Sequence, residues 1–184
     1  YDCFPDGKEV LDGAPFNVAW HLQGLGHRPL MLSRVGRDER GDRILETMRA
    51  WGMDTVGIQR DGARPTGKVN IRFEGGSHAF DIEHPSAYDA VAADAALGAV
   101  REAGASMFYH GTLALRTPSN EALLQRLVEA TGAPVFLDVN LREPWWTRER
   151  TMRCVRHARH VKLNDDELAL LSGADAGSVG QARR

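Results

Sequence analysis

Apolar and polar positions follow one another in short blocks that predict alternating strands and helices. Ile44, Leu45 and Met48 fall on one face of a 3.6-residue period, and Gly52 is a typical residue to end that helix. Comparable patterns predict further helices over 15–22, over 91–103, from Pro118, over 148–159 and from Asp165. Short apolar runs predict strands over 29–32, 107–109, 135–139 and 161–163. This alternation predicts parallel βαβ units, and hence a Rossmann-type sheet covered by helices.

Residues 66–83 follow a different period. Apolar and polar residues alternate one by one from Val69 to Phe73 and from His78 to Ile82, on either side of Gly75 and Gly76. Strict alternation around a glycine turn is typical of a β-hairpin. We therefore predict a hairpin here, and we expect it to stand off the main sheet as a flap.

Composition and charge favour one soluble globular domain with a small-molecule partner. The 184 residues are 42% hydrophobic and 26% charged, and the formal net charge is −2 without long blocks of one sign. This pattern predicts no nucleic-acid partner and no membrane surface. Cys3 and Cys154 lack metal-ligand spacing, and the sequence has neither a secretory signal nor a long apolar span. We expect a cytoplasmic location and one domain over 1–184.

Polar residues follow the apolar runs at the positions where sheets of this kind bind ligands, beyond the carboxyl ends of the strands. The residues at those positions are Asp2, Arg34, His110, Asn140, Arg142 and Asn164. In addition, Gly13 opens a helix whose backbone amides can approach a polar ligand, and Asn17 can donate and accept hydrogen bonds one turn later. By itself this short glycine motif is more typical of an ordinary loop and helix start.

The continuation of that motif resembles a known family. The spacing of Gly13, Pro15, Asn17, Ala19, Gly26 and Gly36 is similar to the N-terminal signature of the ribokinase-like (PfkB) carbohydrate kinases. Further stretches similar to bacterial fructokinase-type members are 4–7, 14–22, 51–53, 65–67, 110–116, 138–142 and 162–164. Asp12 departs from the family, which has glycine or alanine there, and we expect its carboxylate to crowd or repel a sugar.

The resemblance implies a ribokinase-like three-layer α/β fold and phosphorylation of a monosaccharide hydroxyl by ATP and Mg²⁺, with fructose as the expected substrate. It implies that Asp2, Gly13 and Asn17 contact the sugar, and that the hairpin is a lid that can also pair two copies in a homodimer. Two alternatives remain open. The first is a non-catalytic sugar-binding or regulatory relative, and the second is another Rossmann-type nucleotide enzyme, although no glycine-rich phosphate loop is present.

The same resemblance assigns residues to the phosphate side of the site. Asn140 and Arg142 are expected near the nucleotide phosphates, and Asn164 and Glu167 near magnesium, which Glu167 would reach through water. Ordinary structural roles compete with these assignments. Asn164 and Glu167 have the spacing of a helix capping box, Arg142 suits a surface salt bridge, and His110 suits a buried histidine bonded to nearby backbone.

The catalytic part of the family pattern is missing from these residues. The family carries its catalytic aspartate in a later Gly-Ala-Gly-Asp motif, which the sequence lacks, and Gly173-Ala174-Asp175 is interpreted as a turn. The chain begins at Tyr1 without methionine and ends at Arg184 in a polar segment. We therefore interpret it as a piece truncated at both ends, with the catalytic Asp beyond Arg184, and we expect it to be inactive and poorly stable alone.

Overall fold

A computed structural model of the chain describes residues 1–74 and 77–173. The predicted Gly75-Gly76 turn lies outside the described residues, as do Ala174 and Asp175 of the predicted terminal turn. The chain divides into two compact units, Tyr1–Gly104 and a second unit that begins at Ala105. Among the described helices, none is long and apolar enough to span a bilayer.

The described residues of the first unit form two sheets and three α-helices. Its strands are β1 (Asp2–Cys3), β2 (Glu9–Val10), β3 (Ser33–Gly36), β4 (Ile58–Asp61), β5 (Val69–Glu74) and β6 (Ser77–Ile82). Its helices are α1 (Ala14–Gly24), α2 (Glu39–Ala50) and α3 (Ala93–Ala103), with a short 3₁₀ helix over Ala87–Ala90. One sheet has the strand order β2-β1-β5-β6, and the other pairs β3 with β4 in parallel. Ala19 and Met48 lie in the core between α1 and α2.

The second unit is a parallel sheet with helices between its strands. Its elements are β7 (Phe108–Gly111), a 3₁₀ helix (Thr112–Leu115), α4 (Pro118–Thr131), β8 (Val135–Asp138), α5 (Arg148–His157), β9 (His160–Lys162) and α6 (Asp165–Ser172). The strand order is β7-β8-β9, and both pairings are parallel. Leu137 and Val139 are fully buried and pack with Leu171. The predicted class, a mostly parallel α/β fold with a hairpin, is confirmed.

The strand predicted over 29–32 is wrong. The strand in this region is β3, which begins directly after that run, at Ser33–Gly36. β3 pairs with β4, a strand of mainly polar residues that the sequence pattern did not predict. Met31 instead packs against the cluster around Met48. The apolar run therefore marks residues that fill the core beside the sheet, while the ladder hydrogen bonds form further along the chain.

The predicted hairpin is present, but it is not a separate ribbon. β5 and β6 pair antiparallel, and β5 also pairs in parallel with β1, where Asp2 lies opposite Val69. A two-stranded hairpin is only marginally stable in water, and additional strands stabilise it. This pairing places Asp2 within a strand rather than after one, next to the base of the hairpin.

A buried hydrogen-bond network joins β3, α2 and the segment before β5. The hydroxyl of Thr66 accepts a hydrogen bond from the Gly36 N–H at 2.9 Å and donates one to Asp38 Oδ1 at 2.6 Å. The Thr66 N–H donates to Asp38 Oδ2 at 2.7 Å, and Asp38 caps α2 by accepting from the Gly41 N–H at 2.8 Å. Partial burial opposes ionisation of Asp38, but these hydrogen bonds outweigh it and lower the pKa of the carboxyl.

We predict that Thr66→Val destabilises the chain. Thr66 is 3% exposed, so valine would leave the Gly36 N–H buried without an acceptor at a cost of about 1–3 kcal/mol. Thr66→Ser keeps the hydroxyl and is the matched control. Denaturant unfolding measures the free energy of both variants, and equal stability of the valine and serine variants would contradict the prediction.

Candidate functional site

The loop between β2 and α1 brings together the residues that the sequence singles out for sugar binding. Asp12 lies at their centre. Its Oδ1 accepts a hydrogen bond from the Gly13 N–H at 2.6 Å and another from the Asn17 side-chain amide at 2.5 Å. Asp12 also shares a hydrogen bond with Asp2 of β1. We call these four residues, Asp2, Asp12, Gly13 and Asn17, the α1 cluster.

The local sequence explains why this cluster forms at the start of α1. Gly13 has a φ of +142°, a backbone conformation that favours glycine. Pro15 lies in the first turn of α1, where its missing N–H removes no helical hydrogen bond. The Asn17 N–H donates to the Gly13 carbonyl at 2.9 Å, which starts the helix, and buried Ala19 anchors its inner face. The turn and the helix together direct the Asn17 amide back toward Asp12.

Hydrogen bonding decides the charge on Asp12. Partial burial opposes ionisation of this carboxyl, but the Gly13 N–H, the Asn17 amide and the hydrogen bond with Asp2 lower its pKa from the ordinary value. The lowered pKa favours the ionised form of Asp12, whose oxygens then act only as hydrogen-bond acceptors.

The second unit carries its polar residues at the carboxyl ends of β7, β8 and β9. Asp138 ends β8, and its two oxygens accept hydrogen bonds from the Tyr109 hydroxyl and the Lys162 ammonium, both at 2.9 Å. Burial and the contact with Asp138 raise the pKa of Tyr109, so its hydroxyl stays a donor. Two residues after Asp138, Asn140 has a φ of +40°, a strained conformation that is found most often at functional turns.

Glu167 holds the loop that contains Asn140. Its side chain is buried, and Oε1 accepts a hydrogen bond from the Leu141 N–H at 2.9 Å. Oε2 accepts one from the Asn164 N–H at 3.0 Å, and Asn164 Oδ1 accepts one from the Glu167 N–H at 2.8 Å. The predicted capping box is thus confirmed, and the same carboxylate also fastens the loop after β8 to the start of α6.

Arg142 completes the second group of predicted residues. Its guanidinium donates a hydrogen bond to the Leu141 carbonyl at 2.9 Å, so it lies beside the backbone that Glu167 holds. We call Asn140, Arg142, Asn164 and Glu167 the β8–α6 cluster. The structure brings these four residues together: Glu167 binds the Leu141 and Asn164 N–H groups, Arg142 binds the Leu141 carbonyl, and Asn140 directly precedes Leu141.

The β8–α6 cluster contains one carboxylate that could face a magnesium ion, that of Glu167. Within 1–74 and 77–173, no group of three His, Cys, Asp or Glu side chains could hold a metal ion. Both oxygens of Glu167 already accept backbone hydrogen bonds. Magnesium commonly keeps several waters and binds few protein carboxylates, so a contact through water suits this buried side chain. The magnesium role of Glu167 stays a prediction.

Two other residues at strand ends have structural roles. His110 is buried, its ring Nδ1 lies 3.1 Å from the Gly111 carbonyl oxygen, and burial lowers its pKa. This confirms the interpretation of His110 as a buried histidine bonded to backbone. Arg34 forms an ion pair with buried Asp61 at 2.9 Å and donates to the Ala90 carbonyl at 2.8 Å. Both side chains stabilise the fold around their strands.

The sequence singled out the residues of both clusters but not all of their contacts. The structure shows Asp12 bonded to the predicted sugar-binding groups themselves, and the expectation that its carboxylate crowds a sugar stays a prediction. The Tyr109–Asp138–Lys162 group was not predicted, although each of its residues lies in or at the end of a predicted strand. The pairing of Glu167 with Leu141 has no sequence signal, because the two residues are far apart in the chain and are joined only by the fold.

The sequence and the fold were compared with those of known proteins. Residues 6–183 match the family model described as pfkB family carbohydrate kinase. The chain belongs to this family. It is 31% identical over 177 residues to a fructokinase of Solanum tuberosum, a match covering 93% of this chain and 53% of that protein. It is 29% identical over 181 residues to a probable fructokinase-7 of Arabidopsis thaliana, covering 93% and 52%.

Solved structures agree with the family assignment. A fructokinase from Xylella fastidiosa is 25% identical, with a TM-score of 0.82 over 98% of this chain and 62% of that one. The fructokinase of Vibrio cholerae O395 in its fructose, ADP and calcium ion bound form is 26% identical, with a TM-score of 0.79 over 98% and 61%. This pfkB family chain spans about half the length of the curated relatives that it matches.

We predict that Glu167→Gln loosens the loop after β8 in this pfkB family chain. Glutamine offers one acceptor where glutamate offers two, so the Leu141 or Asn164 N–H loses its partner at a cost of about 1–3 kcal/mol. Hydrogen exchange should become faster at whichever of the two amides, Leu141 or Asn164, loses its acceptor. Asn164→Ser keeps a capping acceptor and the bond to Leu141, so it is the control. Unchanged exchange at both amides in Glu167→Gln would contradict the assignment.

Proposed function

We propose that the protein containing this chain transfers a phosphoryl group from ATP to a hydroxyl of a monosaccharide, with fructose as the first substrate to test. Membership of a family of carbohydrate kinases and relatives named fructokinase support the reaction class. The fructose- and ADP-bound Vibrio cholerae relative supports the choice of ligands. The observation that carries the proposal is that Gly13, Asn17 and Asp2 all contact Asp12 at the start of α1 in a chain of this family.

In this proposal the α1 cluster binds and orients the sugar. The Asp2 carboxylate accepts hydrogen bonds from sugar hydroxyls, and ionised acceptors form the stronger bonds. The Gly13 N–H and the Asn17 amide donate to sugar oxygens, and Asn17 can also accept. Because each group sits on a strand or at a helix start, the sugar would be held in one orientation, which a transfer reaction requires.

The β8–α6 cluster would serve the phosphate side. Arg142 offers a planar set of donors suited to phosphate oxygens, and Asn140 lies on the strained turn next to it. Glu167 acts in this proposal by holding that turn, and through water it can face a magnesium ion. ATP supplies the phosphoryl group when bound, and magnesium neutralises charge on the phosphates.

Several further parts of the proposal concern the whole protein. The 184-residue sequence contains no Gly-Ala-Gly-Asp motif, so we infer that this chain alone binds sugar without transferring phosphate. Water exclusion by the β5–β6 hairpin would favour the sugar hydroxyl over water as acceptor. Phe80 of this hairpin is 46% exposed, which supports pairing with a second copy through the lid. A cytoplasmic location remains part of the same proposal.

We predict that Asp2→Asn lowers kcat/KM for fructose about tenfold to hundredfold, because a hydrogen bond to a charged acceptor is lost. The measurement is a coupled ADP assay on the longest natural protein that contains this sequence. Asp6→Asn is the matched control, since Asp6 is exposed and accepts a local hydrogen bond from the Lys8 N–H.

The same assay separates the proposal from its alternative. Sugar binding without ADP release, across fructose and other hexoses and pentoses, would favour a non-catalytic sugar-binding relative. Absence of both sugar binding and ADP release would reject the proposed function. Equal losses of activity in Asp2→Asn and Asp6→Asn would reject the role given to Asp2 while leaving the reaction in place.

A further inference from the structure

In the α1 cluster, the Asp12 side chain already accepts hydrogen bonds from the groups predicted to bind a sugar. The donors predicted to meet a sugar oxygen are the Gly13 N–H and the Asn17 side-chain amide. In the structure both donate to a single atom, Oδ1 of Asp12, at 2.6 and 2.5 Å. An oxygen that accepts from two such groups stands where a sugar oxygen would be bound.

The same side chain also engages the predicted acceptor. Asp12 also shares a hydrogen bond with Asp2, so the Asp2 carboxyl is engaged as well. Asp12 therefore contacts all three groups assigned to the sugar.

We propose that Asp12 is an internal competitor for the sugar, and that it lowers the affinity of this site for neutral monosaccharides. This inference rests on the proposed function, because it assumes that the α1 cluster is the sugar site. A sugar binds only after displacing the Asp12 carboxylate from Gly13 and Asn17. The bonds that the sugar gains are then offset by those that Asp12 loses, so the net affinity falls.

Competition makes a distinctive prediction about Asn17. In the wild-type chain, Asp12 already holds the Asn17 amide. Removing that amide therefore has two opposing effects: the sugar loses a donor, and Asp12 loses one of the hydrogen bonds that keep it in the sugar site. Removing it after Asp12 is gone deletes a donor that the sugar uses fully. The effects of the two substitutions should therefore be strongly non-additive, as expected for groups in direct contact.

The test is a double-mutant cycle of Asp12→Gly and Asn17→Ala, read as the dissociation constant for fructose by calorimetry without nucleotide. The protein is the longest natural one that contains this sequence. Asp12→Gly is expected to bind fructose at least about tenfold more tightly. Asn17→Ala should weaken binding by at least about tenfold in the Asp12→Gly background and by less than about threefold in the wild-type background.

Matched variants control for folding and for charge. Asp54→Gly removes an exposed aspartate that, like Asp12, accepts a nearby backbone N–H, here that of Val56 at 2.8 Å, and should leave fructose affinity unchanged. Asp12→Ser is the second variant if glycine prevents folding, because serine cannot reach both donors with a charged oxygen. It should also bind fructose more tightly than the wild-type chain.

The outcomes separate this inference from the proposed function. Equal affinity of the wild-type, Asp12→Gly and Asp12→Ser proteins, or additive effects in the cycle, would overturn the role of Asp12 while sugar binding stands. Weaker fructose binding after loss of Asp12 would show that its carboxylate contacts the sugar, and would also overturn it. Absence of binding to any monosaccharide in every variant would remove the proposed function, and this inference with it.

Discussion

Backbone N–H groups that are left without partners where strands give way to loops and helices must find acceptors, and in this chain carboxylates provide them. The first N–H groups of a helix have no partner within the helix, and burying them without one is costly. Asp38 accepts from the Gly41 N–H at the start of α2, and Asp61 from the Ala63 and Arg64 N–H groups after β4. Glu167 does the same for the start of α6 and for the loop after β8. These bonds fix the loops on which the candidate functional residues lie.

This requirement links stability to function differently in the two clusters. The Glu167 carboxylate holds the loop of Asn140 and Arg142 through backbone hydrogen bonds. The same bonds that stabilise the fold therefore also position the predicted phosphate-side residues. At Asp12 the carboxylate satisfies the Gly13 N–H and the Asn17 amide in front of the helix, where a ligand is expected. Carboxylate hydrogen bonds therefore hold a loop in the β8–α6 cluster and engage the predicted sugar-binding groups in the α1 cluster.

Local pattern was sufficient for most elements of the fold. The 3.6-residue period of Ile44, Leu45 and Met48 marked α2, since a helix buries one face regardless of its distant neighbours. The alternation on either side of Gly75 marked β5 and β6 for the same reason. It failed at β3 and β4. Strand position there depends on hydrogen bonds between segments that are more than twenty residues apart, and β4 has no apolar run to reveal it.

Taken by itself, the amino-acid order determined the class of the fold, the family to which the chain belongs and the identity of nearly every residue in the two clusters. These properties follow from spacing and residue type, which are local features and can be taken from the sequence without the structure. Only the tertiary structure decided what those residues contact: that Asp12 engages Gly13, Asn17 and Asp2, and that Glu167 binds Leu141. Hydrogen bonds act over about 3 Å, so their partners are chosen by how the chain folds in space, and no pattern along the sequence records that choice.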